Sequence, residues 1–175
     1  MKKKHGDIVA SISQSVVQFR EVATSIFECS AVRCKLGEGL FFFPERDLVC
    51  WFDILDNKMF MLHDTTLTTI QLPFPASAGG CLPSGELLVA TKAGLFAVDI
   101  DRVIFKKICD QAHIFRKQCR TNDGRMDRNG GFWFSTMQEV NTSPTGAIYR
   151  LFKNEVNIEQ KRELLIFVTP KIITD

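Results

Sequence analysis

The sequence has 175 residues, 45% of them hydrophobic and 24% charged, with 22 basic against 20 acidic side chains. That length suits one domain and not two, and the composition excludes wholesale disorder. Residues 1–20 carry a net charge of +3 and the rest −1, a balance that gives neither nucleic acid nor an anionic membrane a reason to bind.

The chain opens on Lys2-Lys3-Lys4, the start of a signal peptide in appearance only. The residues that follow, Ile8 to Ser15, are too polar for the apolar core of one, and no stretch approaches a membrane span. Ile8, Ile12, Ser15, Val16 and Phe19 form a weak amphipathic stripe, which predicts a short helix within an N-terminal extension over residues 1–22. From there on strand signals dominate. Runs at 47–54, 59–62, 67–72, 86–91, 94–99 and 131–136 are apolar or alternating, rich in aromatic and β-branched residues, and bounded by Gly, Pro, Asn or Asp. Asp56-Asn57, Pro83-Ser84-Gly85 and Asn129-Gly130-Gly131 punctuate them as turns.

Six cysteines and three histidines are present, but no CxxC pair, so a zinc knuckle is not expected. Cys50 and Cys109 sit in apolar runs, where a reduced thiol acts as a small hydrophobe. These features predict a cytoplasmic protein with reduced thiols. His5, His63 and His113 have no partner at useful spacing and read as surface or core residues. The basic run Arg116 to Arg120 reads as a solvated loop.

Three segments align as a turn leading into a strand, beginning at Pro44, Pro83 and Arg128, at intervals of 39 and 45 residues. Each is followed by a second strand. A period near 40–45 residues with several short strands per unit is the pattern of a β-propeller blade; an all-β sandwich with recurrent turns is the alternative. Trp51 and Trp133 recur at equivalent positions and read as blade core. Closed propellers have at least four blades, and this length holds about three. The predicted fold is therefore an incomplete all-β propeller over residues 23–175, cut off inside a larger fold.

At this point particular motifs carry a resemblance. Cys34-Lys-Leu-Gly-Glu-Gly39, Phe43-Pro-Glu-Arg46 and Cys50-Trp-Phe-Asp-Ile54 resemble the opening of the SMP-30/gluconolactonase/regucalcin family. Arg120-Thr-Asn-Asp-Gly-Arg-Met-Asp127, Gly131-Phe-Trp-Phe-Ser-Thr-Met137 and Pro144-Thr-Gly-Ala-Ile-Tyr-Arg150 resemble its central signature, in the same order. The resemblance covers roughly residues 27–170. It implies the N-terminal half of a six-bladed propeller, a metal-dependent hydrolase of small sugar lactones.

By the same resemblance, Glu38 matches a metal-binding Glu. Arg120 and Asn122 match positions that contact sugar hydroxyls or the site water, and Asp123 matches the adjoining acidic position. The implied cofactor is one divalent ion (Ca, Zn, Mn or Mg). Oxygen ligands suit hard cations, and such an ion polarises a lactone carbonyl and acidifies a bound water. A later Asp of the family, its ligand and general base, has no counterpart here. Two departures stand out: Gly39 is followed by Leu40 where the family has Pro, and Pro170 by Lys171 where the family has its metal-binding Asn. An ammonium offers no lone pair to a cation.

Outside the resemblance, Glu38 reads as a turn acid, Asn122-Asp123-Gly124 as a common turn and Arg120 as a surface charge. The expected function is sugar-lactone hydrolysis, with this chain a truncated product that is weakly active or inactive alone. The alternative is a non-catalytic calcium-binding or assembly module, pairing with itself as a homodimer or with a separately encoded second half.

Overall fold

The computed structural model describes residues 8–30, 32–110, 119–139 and 146–151. Fifteen strands are found among them, with a single 3-10 turn at Pro44–Arg46. Strands β5 (Gly37–Phe43), β6 (Leu48–Asp53), β7 (Lys58–His63) and β8 (Thr66–Gln71) form one antiparallel meander. Strands β9 (Ala76–Cys81), β10 (Leu87–Thr91), β11 (Gly94–Asp99) and β12 (Ile104–Asp110) form a second, and β13 (Cys119–Met126), β14 (Phe132–Gln138) and β15 (Ile148–Leu151) a third. The six predicted strand runs coincide with β6, β7, β8, β10, β11 and β14 to within two residues at each end.

The N-terminal helix is not formed. Residues there make β1 (Ile8–Val9), which pairs with β12, and β2 (Ser11–Val16), which pairs with β8 along its whole length. The amphipathic stripe gives way to a period of two: Ser11, Ser13 and Ser15 alternate with Ile12, Gln14 and Val16. Serine and β-branched residues are mediocre helix formers, and the outer edges of two meanders offer a backbone ladder that a lone helix cannot match. A short hairpin follows, β3 (Arg20–Ala23) with β4 (Ile26–Glu28).

The meanders stack face to face. Between the first and second lies a core of Phe43, Phe52, Met59, Ile70, Leu87, Val89, Phe96 and Phe105. Between the second and third lies another, built on Leu88, Leu95, Phe132, Phe134 and Tyr149. Burying each such side chain stabilises the fold by about 1.5–3 kcal/mol. The far face of the first meander is covered by its own chain, with Val17, Val32 and Cys34 against Phe60, Leu62, Leu67 and Trp51. Trp51 is half-buried there, stacked on Phe60 at 5.2 Å. Trp133, at the equivalent place in the third meander, is 44% exposed and is not core. Strand alternation sends it to the face opposite Phe132 and Phe134, and among the described residues no apolar segment covers that face as Val17 and Val32 cover the first.

Two aspartates fix the connections. Asp53 is buried and accepts backbone N–H bonds from Lys35, Leu36, Leu55 and Asp56 at 2.8–3.3 Å. Burial pushes its carboxyl up, but the four N–H donors outweigh it and leave it lowered. Asp127 accepts from the Asn129 and Gly131 N–H groups, from Trp133 Nε1 and from Arg150 Nε and Nη2, at 2.7–3.1 Å. The Gly131 N–H, then the Arg150 guanidinium, hold this carboxyl well below the usual carboxylate range. A carboxyl lowered in the fold contributes stability that is present above about pH 4 and is lost as pH falls. Asp127→Asn should therefore lower the thermal midpoint at pH 7, and the gap to wild type should narrow steadily as pH falls below about 4 in a calorimetric series.

None of the six cysteines is in a disulfide. Burial pushes Cys50 up to about 12 and Cys81 up to about 11. Only thiolates alkylate at a useful rate, so iodoacetamide at pH 7.5 should label exposed Cys29 and leave Cys50 unlabelled until urea unfolds the chain, as mass spectrometry would show.

Candidate active site

Strands β5, β9 and β13 are the first strands of their meanders; β9 packs against both others, and β13 reaches β5 as well. Close approach requires small side chains on β9, whose sequence is Ala76-Ser-Ala-Gly-Gly-Cys81. A Cβ on Gly79 would lie 2.9 Å from the Phe41 ring, and one on Gly80 2.4 Å from Met126 Cγ.

Each of the three strands carries a bulge against its neighbour. In β5, Glu38 opposes Phe52 and Phe41 opposes Cys50, so Gly39 and Leu40 together face Trp51. In β9, Ala76 opposes Thr91 and Ala78 opposes Ala90, leaving Ser77 unpaired. In β13, Thr121 opposes Thr136 and Gly124 opposes Phe134, so Asn122 and Asp123 share Ser135. Bulges break the alternation of side chains and re-aim them. Of the four sequence-selected residues, Glu38 lies beside the first bulge and Asn122 and Asp123 lie inside the third, while Arg120 stands in regular register opposite Met137.

Glu38 is exposed and has no hydrogen-bonding or ionic partner among the described residues, and Asn122 is equally exposed. The loop ahead of Glu38 is held by the Asp53 carboxylate through Lys35 and Leu36. Asp123 is exposed, and its Oδ1 accepts the Gly124 N–H at 2.7 Å. Ser135 Oγ lies within hydrogen-bond distance of both the Asp123 N–H and its carbonyl. Arg120 is half-buried and donates from Nη1 to the Thr121 carbonyl at 2.8 Å, which leaves the rest of its guanidinium available. Ser77 is fully buried, and its hydroxyl has no hydrogen-bond partner among the described residues. Lys171, at the departure from the family pattern, lies outside the described residues, as do His5 and His113.

The sequence missed one cluster. Asp47, His63 and Asp64, all exposed, bring potential ligand atoms within 4.8 Å of one another, with His63 Nδ1 3.8 Å from Asp64 Oδ2. The β6–β7 register explains it: Val49 opposes Leu62, so the chain ends at Asp47 and Asp64 meet. Sixteen residues separate Asp47 from His63 in sequence, and only the hairpin pairing reveals the contact. This cluster lies past the far end of β5, roughly 16 Å along the strand from Glu38, and shares nothing with it.

Residues 36–168 match the SMP-30/Gluconolactonase/LRE-like region. The chain belongs to this family. It is 26% identical over 118 residues to the 6-deoxy-6-sulfogluconolactonase of Pseudomonas putida, covering 66% of this chain and 40% of that protein. It is 31% identical over 130 residues to a Rhizobium meliloti protein named "Putative sugar lactone lactonase", covering 73% and 43%. The crystal structure of regucalcin from Agrobacterium tumefaciens, a calcium-binding protein, superposes with a TM-score of 0.68 at 27% identity, over 79% of this chain and 44% of that one. The chain thus spans less than half the length of these relatives. The stacked antiparallel meanders are the propeller-like architecture that the sequence repeats predict.

The donors fit a hard cation in kind: Glu38 offers an unpaired carboxylate and Asn122 an amide oxygen, both exposed. They are few. Among the described residues Glu38 has no second Asp, Glu, His or Cys pair close enough to complete a cluster with it. The bulge that presents Glu38 depends on Gly39, whose φ is +65° and whose hypothetical Cβ would lie 2.3 Å from the Ser77 carbonyl oxygen. Left-handed strain and the backbone clash together make Gly39→Ala cost about 2–4 kcal/mol, measurable as a lowered urea midpoint at unchanged m-value.

Proposed function

We propose that this chain supplies part of the active site of a metal-dependent sugar-lactone hydrolase, with a small sugar lactone as substrate. The observation that carries the reading is the placement of Glu38 and of Asn122–Asp123 at bulges on strands of a shared inner layer. The names of the lactonase relatives support it. In this reading Glu38 holds the divalent ion, Ca, Zn, Mn or Mg, and Asn122 and Arg120 orient the sugar hydroxyls through fixed hydrogen bonds. Asp123, whose Oδ1 is engaged by Gly124, retains Oδ2 as an acceptor for a hydroxyl. When bound, a divalent ion supplies polarisation of the lactone carbonyl and a more acidic water. Arg120 brings a planar guanidinium, suited to paired hydrogen bonds with hydroxyl oxygens, to a site whose other polar groups are acidic or neutral.

The 175-residue chain alone is proposed to turn over lactone weakly or not at all, because among the described residues no acidic, His or Cys cluster forms around Glu38. Its cytoplasmic setting is proposed from the cysteine usage: six cysteines, none of them in a disulfide. No helix among the described residues is long and apolar enough to cross a membrane. A second reading, assembly with a second half or a second copy into a closed propeller, is favoured by the half-exposed Trp133, Met137 and Ile148 on the open face of the third meander.

The test uses Mn²⁺ as a probe, followed by water-proton relaxation. We expect weak binding, in the millimolar range, that falls at least tenfold in Glu38→Gln and is unchanged in Asp64→Asn. Binding lost in Asp64→Asn and kept in Glu38→Gln would move the metal to the surface cluster and overturn the assignment. In parallel, gluconolactone hydrolysis by the isolated chain should stay near the spontaneous rate. Metal-stimulated turnover abolished by Glu38→Gln would confirm the chemistry and overturn the proposed weakness of the chain alone.

A further inference from the structure

Strand β2 is the terminal strand of its sheet, paired on one side with β8 and on the other with nothing among the described residues. All six of its residues, Ser11 to Val16, are exposed. It is held by the backbone ladder, by Gln14 Nε2 donating to Thr68 Oγ1 at 3.2 Å, and by buried Val17, whose N–H bonds the Thr65 carbonyl at 2.8 Å. Native sheets blunt such edges with charges, proline, bulges or a covering segment. Residues 8–18 contain no charged residue, no proline and no glycine, and the β2–β8 register runs without a bulge. By contrast, β12 presents Lys106, Lys107 and Asp110 and is itself partly covered by β1.

We infer that the outer edge of β2 is a self-association surface, pairing antiparallel with β2 of a second copy of this chain across a two-fold axis through Gln14. Symmetry and side-chain alternation fix that register. Opposed residues of an antiparallel pair lie on one face of the sheet, so a two-fold axis normal to the sheet passes through a residue and never between two. An axis at Ser13 sets Ile12 against Gln14, and one at Ser15 sets Val16 against Gln14. Only an axis at Gln14 sets Ile12 of each copy against Val16 of the other, with Ser13 against Ser15 on the reverse face. Ile12 is 51% exposed and Val16 79%, so each gains a β-branched cross-strand neighbour that the single chain denies it. Two five-stranded sheets would become one of ten. This surface lies at the outer edge of the first meander, apart from the open face of the third and from Glu38, and does not rest on the lactone reading.

Sedimentation velocity on the full 175-residue chain between 5 and 200 μM is the test. The expected result is a concentration-dependent dimer that weakens at least tenfold in Gln14→Lys, where two ammonium groups meet at the axis, and is unchanged in Ile148→Lys on the open face of the third meander. Both substituted side chains are exposed or half-exposed, and circular dichroism checks that each variant is folded. In a Cys29→Ser background, Gln14→Cys should oxidise to a 14–14 disulfide dimer identified by mass spectrometry, and Ser13→Cys should not cross-link to itself. A chain that stays monomeric at 200 μM overturns the inference. So does a dimer that Gln14→Lys leaves intact, or one that Ile148→Lys abolishes.

Discussion

The close approach of the three first strands is the constraint on which the rest of this structure depends. Sheets can stack face to face around a common line only if the strands nearest that line carry almost no side-chain volume. Ala76-Ser-Ala-Gly-Gly meets that demand on β9, with Phe41 and Met126 filling the space that larger residues would need. Gly39 meets it on β5, its α-carbon pressed against the Ser77 carbonyl in a conformation that favours glycine. The two large cores then follow, because each sheet must bury one apolar face on its neighbour.

The same constraint makes the candidate site. Three strands that converge cannot all keep perfect pleats, and each accommodates the crowding with a bulge near the shared line. A bulge is also the device that lets adjacent residues point the same way. Polar residues at those places, Glu38 and Asn122 with Asp123, escape the alternation that would bury one of each pair. Asp53 and Asp127 set the approach angles of the flanking chain through several N–H bonds each, a charged acceptor serving as a rigid node. Packing on one side and open polar groups on the other are thus two results of one geometry.

Much of this was legible in the chain. The strands could be read because their apolar runs are short, β-branched and bounded by turn residues, as at Glu86–Thr91 and Gly94–Asp99. The candidate site residues could be nominated because their motifs are local: Leu-Gly-Glu-Gly and Arg-Thr-Asn-Asp-Gly each lie within five residues. The first twenty residues misled because Ile8, Ile12, Val16 and Phe19 satisfy a helical period while the serines between them satisfy a strand period. Only the available edge of β8 decides between the two. Trp133 misled for a related reason. Its repeat position equals that of Trp51, but what covers Trp51 comes from Val17 and Val32, and nothing in a repeat says what will lie across it.

By itself, then, the sequence determined the strand-and-turn order, the propeller-like class and the family, and it nominated Glu38, Arg120, Asn122 and Asp123 as candidates for a cation and a sugar, since all are written in neighbours along the chain. Tertiary structure alone decided that the N-terminal segment is a pair of edge strands, that the inner strands bulge at the polar positions, and that Asp47 meets His63 and Asp64. Each of these is set by register and stacking between segments distant in sequence, where hydrogen-bond partners and excluded volume, and not local propensity, carry the larger share of the free energy.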